Sequence, residues 1–126
     1  MLEVDFSDVL RAAAEMGGKG AAVVDAIEPV LERSAVNIKQ AMAEEFKKHR
    51  HFRRIAPDVS YDRIGHFTST LGYEIGPTPT MDAGSLAGIA VEGGANGGGG
   101  KVKIDHIVDV EAPKTEAMIM AAMGFL

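Results

Sequence analysis

The sequence predicts an α+β fold, in which a long amphipathic helix packs on a small, mostly antiparallel sheet. Three observations lead to this prediction. Apolar residues recur at helical spacing over residues 20–48, two partly alternating segments follow at 59–64 and 68–76, and a second helical pattern lies near the C-terminus. With 126 residues, close to the most common domain size, the chain is expected to form a single domain, 1–126.

A short helix is predicted over residues 6–16, where apolar side chains recur every three or four positions. Ser7 is a candidate N-cap for this helix, because a serine side chain can accept a hydrogen bond from a free backbone N–H of the first turn. Gly17 and Gly18 are expected to end the helix.

The strongest helical pattern spans residues 20–48. Its apolar stripe consists of Ile27, Leu31, Ala35, Ile38, Met42 and Phe46, and its predicted solvent face of Glu28, Glu32, Arg33, Lys39 and Glu44. Pro29 either kinks this helix or marks a first turn that begins near Glu28. We expect the stripe to belong to the core of the domain.

A basic segment, "KKHRHFRR" (residues 47–54), follows the stripe and contains Lys47, Lys48, Arg50, Arg53 and Arg54. One interpretation is a solvated helix end whose cations complement the helix dipole. The other is a surface for phosphate groups or for a protein partner. The chain as a whole carries a net charge of −5, and its basic groups are concentrated in the middle, between acidic flanks. This polarity suits head-to-tail packing of identical subunits.

A hairpin is predicted from Val59–Ile64 and Thr68–Gly76, joined near Gly65–His66. We expect the sheet to draw a further strand from a neighbouring subunit, because an isolated hairpin is only marginally stable in water. Prolines then interrupt the strand pattern, and "SLAGIAVEG", from Ser85, is expected to form one or two helical turns.

The glycine-rich stretch "EGGANGGGG" is followed by Lys101 and invites comparison with a phosphate-binding loop. That motif needs a glycine at the position of Ala95 and a serine or threonine at Val102, so it fails twice. We therefore predict a flexible loop over residues 93–101 and no bound nucleotide.

The C-terminal region is expected to be helical from Ile104 onward, with Pro113 at the first turn of a final helix. The apolar face of that helix contains Met118, Ile119, Ala122 and Met123. This face either closes the core of the domain or contacts a neighbouring subunit, since a domain of this size has little surface with which to bury everything alone.

Several classes of function are not expected. The chain has no cysteine, which excludes disulfides and thiolate chemistry, and its four histidines lack ligand spacing for a metal. It shows no secretory signal, no membrane-spanning run and no convergent set of acid and base residues. We therefore predict no catalytic residue, no cofactor and no metal.

Three segments of the sequence carry a resemblance to a known family: "YEIGPT", "AGSLAGIAVEGGAN" and "DVEAPKTEAMI". The residues that match the family are Tyr73 to Pro77 in the first segment, Leu86 to Ala95 in the second and Asp109 to Ala117 in the third. They resemble the small tail-component, or neck, proteins of long-tailed bacteriophages, especially those of actinobacterial phages. In that family a strand like "aEIGP" leads to "gLAgIiEyGg", and a helix like "DAEAPrFEkAl" follows a loop. Relatives often have prolines where this chain has Gly97 to Gly100.

The resemblance implies a non-enzymatic virion protein of the head–tail junction, a connector or tail-completion protein present in the host cytoplasm during assembly. It implies a ring of identical subunits, six-fold rather than twelve-fold, between portal-side and tail-tube-side proteins, with genomic DNA passing by. The predicted subunit contacts are Tyr73, Glu74, Leu86, Ile89, Glu92, Met118, Met120, Met123, Phe125 and Leu126. The alternatives are a tail terminator ring, or a small nucleic-acid-binding protein that uses residues 47–54.

Overall fold

The computed structural model describes residues 2–8, 11, 15, 20–64, 72–78, 90–91 and 102–123. In chain order its elements are β1 (Leu2–Asp5), α1 (Gly20–Lys47), a 3₁₀ helix (Arg53–Asp58), β2 (Val59–Ile64), β3 (Gly72–Pro77) and α2 (Asp105–Met123). The predicted α+β fold is confirmed, since two long helices accompany a three-stranded antiparallel sheet. The predicted turns near Ser85 and the glycine-rich loop, 93–101, lie outside the described residues, apart from helical Ala90 and Val91.

Helix α1 forms the centre of the hydrophobic core. All six residues of its predicted stripe are buried, none of them more than 2% exposed. Pro29 lies inside the helix, so the interpretation that it marks a first turn near Glu28 is wrong. The proline lacks the N–H that would bond the carbonyl of Asp25, and Asp25 is exposed, where water can take that place.

The sheet has the strand order β1-β3-β2, with β3 in the centre. Ile75 of β3 lies opposite Tyr61 of β2 on one side and Leu2 of β1 on the other. The predicted antiparallel pairing of β2 with the following strand is confirmed, whereas the connection at residues 65–71 lies outside the described residues. Because side chains alternate between the faces of a strand, Ile75 and its neighbours opposite point to one face, and that face packs on α1.

Strand β1 was not expected from the sequence. Its residues alternate between half-buried and exposed, with Leu2 and Val4 packed against the core. The hairpin of β2 and β3 is therefore not isolated, which removes the reason for expecting a strand from a neighbouring subunit, and that expectation stays a prediction. The chain's own N-terminal segment supplies the third strand.

Gly72 allows β1 to approach β3 closely. A Cβ atom at this position would lie 2.6 Å from the carbonyl oxygen of Val4, much closer than real Cβ contacts come. Gly72 pairs with Asp5 at the end of β1, so a larger residue would push this end of the strand away from the sheet.

After β1 the chain turns into helical backbone. Ser7, Asp8, Arg11 and Glu15 are helical, while the other residues of the helix predicted over 6–16 lie outside the described residues. The Asp5 carboxylate accepts a hydrogen bond from the backbone N–H of Ser7 at 2.8 Å. The N–H groups that a cap at Ser7 would bind, those of residues 9 and 10, lie outside the described residues. Hydrogen bonds from the side chain and the backbone of Ser7 hold the pKa of Asp5 below its usual value.

Helix α2 is continuous through Pro113, so the prediction of a new helix starting there is wrong. Pro113 is exposed, as is Asp109, whose carbonyl would otherwise receive the missing N–H. The opposite face of α2 packs on α1, where Ile107 and Thr115 are buried, and these contacts stabilise the helix across Pro113. Just before α2, the backbone N–H of Val102 donates to the carbonyl of Ala90 at 2.9 Å, and both residues are buried.

Candidate functional site and interaction surfaces

The basic segment, residues 47–54, lies where α1 ends and the 3₁₀ helix begins. Successive backbone hydrogen bonds, Phe52 N–H to His49 and Ile55 N–H to Phe52, wind it into tight turns. Ile55 is fully buried and Phe52 packs against the core, so the apolar residues anchor the segment while its cations face outward. The cationic surface is therefore held in place by the core.

The five cations of this segment fall into two groups. Lys47 pairs with Glu44 at 3.1 Å and Lys48 with Glu45 at 2.7 Å, each within one turn of α1. Arg50, Arg53 and Arg54 are exposed, and among the described residues no carboxylate lies within ion-pair distance of them. The lysines thus behave as a solvated helix end, while the three arginines present their charge to solvent.

An acidic surface lies on the outer face of the sheet, where three carboxylates form a row across the strands. Glu74 of the central strand lies opposite Glu3 of β1 and opposite Asp62 of β2. All three side chains are exposed, and by strand alternation they point away from α1. We call these three residues the acidic sheet face.

Part of the predicted solvent face of α1 in fact joins the helix to the sheet. Glu28 forms an ion pair with Arg63 of β2. The Tyr61 hydroxyl donates to Glu32 at 3.2 Å, and the Lys39 ammonium lies 6.0 Å from the centre of the Tyr61 ring. The hydrogen bond to Glu32 is the main reason why the pKa of Tyr61 is raised. The expectation that Glu28, Glu32 and Lys39 only face solvent is corrected accordingly.

Tyr73, which we predicted as a subunit contact, is only 3% exposed. Its ring meets Phe6 edge-on, with ring centres 6.2 Å apart, and lies 6.1 Å from the ring of Tyr61. Burial raises its pKa. Tyr73 is therefore a core residue of its own chain and offers no surface to a second subunit, which corrects the prediction at this position.

The contact between α1 and α2 contains a buried polar seam that we did not predict. The hydroxyls of Ser34 and Thr115 lie 2.6 Å apart, and Thr115 also donates to the backbone carbonyl of Glu111 at 3.1 Å. The Glu111 carboxylate accepts a hydrogen bond from the Asn37 amide at 2.9 Å. The two hydroxyls bond to each other and to a backbone carbonyl, and the Glu111 carboxylate bonds to Asn37, so the seam aligns the two helices.

A polar cleft of about 390 Å³ opens beside this seam, with Asn37, Gln40, His106 and Lys114 in its walls. His106 Nε2 lies 3.4 Å from Glu45, whose carboxylate also accepts from Lys48. His106 is half-exposed, and the buried carboxylate in the cleft wall, Glu111, already accepts a hydrogen bond from Asn37. In the described part of the chain, no three acidic or histidine side chains gather in a way that would hold a metal ion.

An apolar groove of about 300 Å³ runs between β1 and α2. Val4, Phe6, Ile119 and Met120 line it, and the Met120 side chain is 69% exposed. Met118 is half-buried on the same helix. Of the other predicted contacts, Glu74 lies on the acidic sheet face. The remaining predicted contacts lie outside the described residues: Leu86, Ile89, Glu92, Phe125, Leu126 and the side chain of Met123.

Neither described helix combines the length and apolar character that crossing a bilayer requires. Comparison with protein-family models, with curated proteins and with solved structures gave no significant match.

Proposed function

We propose that this chain is a non-enzymatic structural protein of the phage head–tail junction, a connector or tail-completion protein that works as a ring of identical subunits. One observation carries the proposal. "GYEIGP" forms the central strand of the sheet, and "DVEAPKTEA" lies within α2, the kinds of element in which the family has its corresponding segments. The third segment of the resemblance, Leu86 to Ala95, is described only at Ala90 and Val91, which are helical.

The surfaces suit such a role. Arg50, Arg53 and Arg54 are exposed where α1 gives way to the 3₁₀ helix, whereas Glu3, Asp62 and Glu74 are exposed on the outer face of the sheet. Helix α2 leaves Met120 exposed beside an apolar groove. A surface that differs from one side of a subunit to the other favours head-to-tail contacts, which close into rings when the rotation allows. A ring, six-fold rather than twelve-fold, would lie between portal-side and tail-tube-side proteins, in the host cytoplasm during assembly and in the virion afterwards.

Two measurements test this proposal. Light scattering and negative-stain microscopy of the purified chain are expected to show closed rings, and loss of residues 117–126 is expected to leave smaller species. Immunogold labelling of phage particles made by the host that encodes this chain is expected to place gold at the head–tail junction. A chain that stays monomeric at millimolar concentration, or gold confined to other parts of the particle, would contradict the proposal. Gold at the tail side of the neck would favour the tail terminator alternative.

A second function is favoured by the three exposed arginines, Arg50, Arg53 and Arg54, which have no described acidic partner. It is a nucleic-acid-binding protein that contacts phosphates through the basic segment. Duplex DNA affinity should then fall steeply with salt and vanish when the five cations of residues 47–54 are replaced by alanine. Anisotropy measurements with a labelled duplex decide this. Binding that survives the replacement ends this alternative.

A further inference from the structure

We propose that the cavity between the N-terminal half of α1 and the strands β2 and β3 binds an arginine from the basic segment of a second copy. The cavity has a volume of about 310 Å³, and its walls include Asp25, Glu32 and Tyr61. The contact joins two different surfaces, so each copy offers one surface to each neighbour. This inference rests on the self-association in the proposed function and names the surfaces that carry it.

The carboxylates of the cavity are only partly neutralised within the chain. Asp25, Glu28 and Glu32 recur on one face of α1, and Glu28 forms an ion pair with Arg63. Glu32 accepts its hydrogen bond from the uncharged Tyr61 hydroxyl. Over the described residues no cation lies within ion-pair distance of Asp25 or Glu32. The cavity therefore keeps negative charge that a positive group of a partner can neutralise.

The walls of the cavity also offer a free acceptor and an aromatic ring. Asp25 and Pro29 both line the cavity, and because Pro29 has no N–H, the carbonyl oxygen of Asp25 lacks its usual helical donor. The Tyr61 ring comes from β2, and one cation, the Lys39 ammonium, already lies 6.0 Å from its centre. A guanidinium group carries five N–H donors on a planar frame that also stacks on aromatic rings. An arginine side chain is therefore the cation that suits these walls.

The basic segment supplies such arginines in an ordered form. Arg50, Arg53 and Arg54 are exposed, and no carboxylate of the described part of the chain lies within ion-pair distance of them. The buried side chains of Phe46 and Ile55 fix both ends of the segment. An arginine pairs with a carboxylate through two parallel hydrogen bonds. Because the segment is already ordered, little conformational entropy is lost when it binds.

The two surfaces lie at opposite ends of α1. The cavity is lined by the N-terminal half of this helix, whereas the basic segment begins at its last residue, Lys47. At 1.5 Å per residue, Glu32 and Lys47 are about 22 Å apart along the helix axis. No ion pair between described residues joins the two surfaces. A second copy laid head to tail brings the basic end of its α1 to the acidic cavity, and this contact repeats from subunit to subunit.

Two charge-reversal variants test the contact. The first, Asp25→Lys with Glu32→Lys, reverses the cavity, and the second, Arg50→Glu with Arg53→Glu and Arg54→Glu, reverses the basic segment. Each variant alone is expected to associate at least about tenfold more weakly than the wild type in sedimentation experiments. An equimolar mixture is expected to recover association, because each variant complements the other. A six-membered ring has an even number of subunits, so an alternating ring can close.

A neutral variant guards against misfolding as the explanation. Asp25→Asn with Glu32→Gln removes both charges but keeps an acceptor for the Tyr61 hydroxyl. It is expected to weaken association while the melting temperature stays within a few degrees of the wild type. The matched control, Asp62→Asn with Asp109→Asn, removes two exposed carboxylates outside the cavity and should leave association unchanged. An equal loss of association in the control would show an effect of net charge and would contradict the contact.

The outcomes separate this inference from the proposed function. If the wild type forms rings and both reversal variants form them equally well, the contact between cavity and segment is wrong and the proposed function stands. If only the arginine variant loses association and the mixture fails to recover, the basic segment binds a partner other than the cavity, which also overturns the contact. If the wild type never associates, both the contact and the ring are wrong.

Discussion

The hydroxyl groups of Ser34 and Thr115 lie 2.6 Å apart inside the contact between α1 and α2, although the two residues are far apart in the sequence. Thr115 donates its own proton to the backbone carbonyl of Glu111, which leaves Ser34 as the donor of the shared bond. Both side chains are buried, so this bond fixes the register of one helix against the other within the core, where a hydrogen bond is stronger than at the surface.

Replacing Ser34 with alanine is expected to lower the free energy of unfolding by about 0.5–1.5 kcal/mol, the usual loss for one buried hydrogen bond. The double variant Ser34→Ala with Thr115→Val should cost less than the sum of the two single variants, because neither partner is left behind. Urea denaturation of the four proteins measures this coupling. Strict additivity would mean that the bond contributes nothing to stability.

Gly72→Ala is expected to destabilise the fold by about 1–3 kcal/mol, the cost of forcing an extra methyl group into a packed site. The added Cβ would meet the Val4 carbonyl at 2.6 Å, so the strain should appear first as loss of β1. Hydrogen exchange should therefore be faster at the amides of residues 2–5 than in α1. Unchanged protection of β1 would contradict the close approach described at Gly72.

The two tyrosines of the chain predict a pH dependence at high pH. Both pKa values are raised above 10.0 in the folded state, that of Tyr61 chiefly by its hydrogen bond to Glu32 and that of Tyr73 chiefly by burial. Folding therefore favours the neutral phenols. This contribution to stability is complete below pH 10 and is lost as the pH rises through the folded-state values.

Ultraviolet absorbance of the tyrosinate form checks this prediction. The folded protein should titrate at higher pH than the urea-unfolded chain, and Tyr61→Phe should leave a single titration from buried Tyr73. Identical titration curves for the folded and unfolded chains would show that neither phenol is held by the structure.

The glycine-rich loop is expected to tolerate lengthening, because its two ends are fixed to each other by the bond between Val102 and Ala90. A glycine–serine insertion between Gly98 and Gly99 that doubles the loop should cost only about 0.6 kcal/mol of closure entropy. The same insertion next to Tyr73 within β3 serves as the destabilising comparison. Thermal denaturation distinguishes them, and a large loss from the loop insertion would indicate that the loop itself packs in the fold.

Met120→Asp is expected to weaken self-association while leaving the melting temperature within a few degrees, because the side chain is already 69% exposed. Val110→Asp is the matched control, since Val110 is 56% exposed on the same helix but lines the polar cleft instead of the apolar groove. Sedimentation velocity compares the two. Equal behaviour of both variants would exclude a specific role for the groove.

The features predicted from the sequence are those with long, regular patterns. The stripe of α1 repeats over six residues, and all six are buried. Strand β1 was missed because "LEVD" contains only two alternating apolar residues, too few to distinguish from a loop. The local sequence at Pro113 predicts a helix start, because proline is favoured in the first turn of a helix. Contacts with α1 instead keep α2 continuous on both sides of Pro113.

The surfaces were predicted less completely, for a related reason. The basic segment is continuous in sequence and was found directly. The acidic sheet face depends on the register of three strands, and nothing local places Glu3 opposite Glu74. The burial of Ser34 was predictable from the sequence, because Ser34 falls three residues after Leu31 and four before Ile38, which is the spacing of the buried face of α1.

The pairing of β1 with β3 also orders events during synthesis. Leu2 and Val4 leave the ribosome early, yet their partners Ile75 and Tyr73 emerge only after α1 and β2 have been made. Such distant pairing slows folding, because the intervening chain must be closed before the contact contributes. The nascent protein therefore carries β1 unpaired until β3 has emerged, and during that time the edge of this strand can pair with other chains.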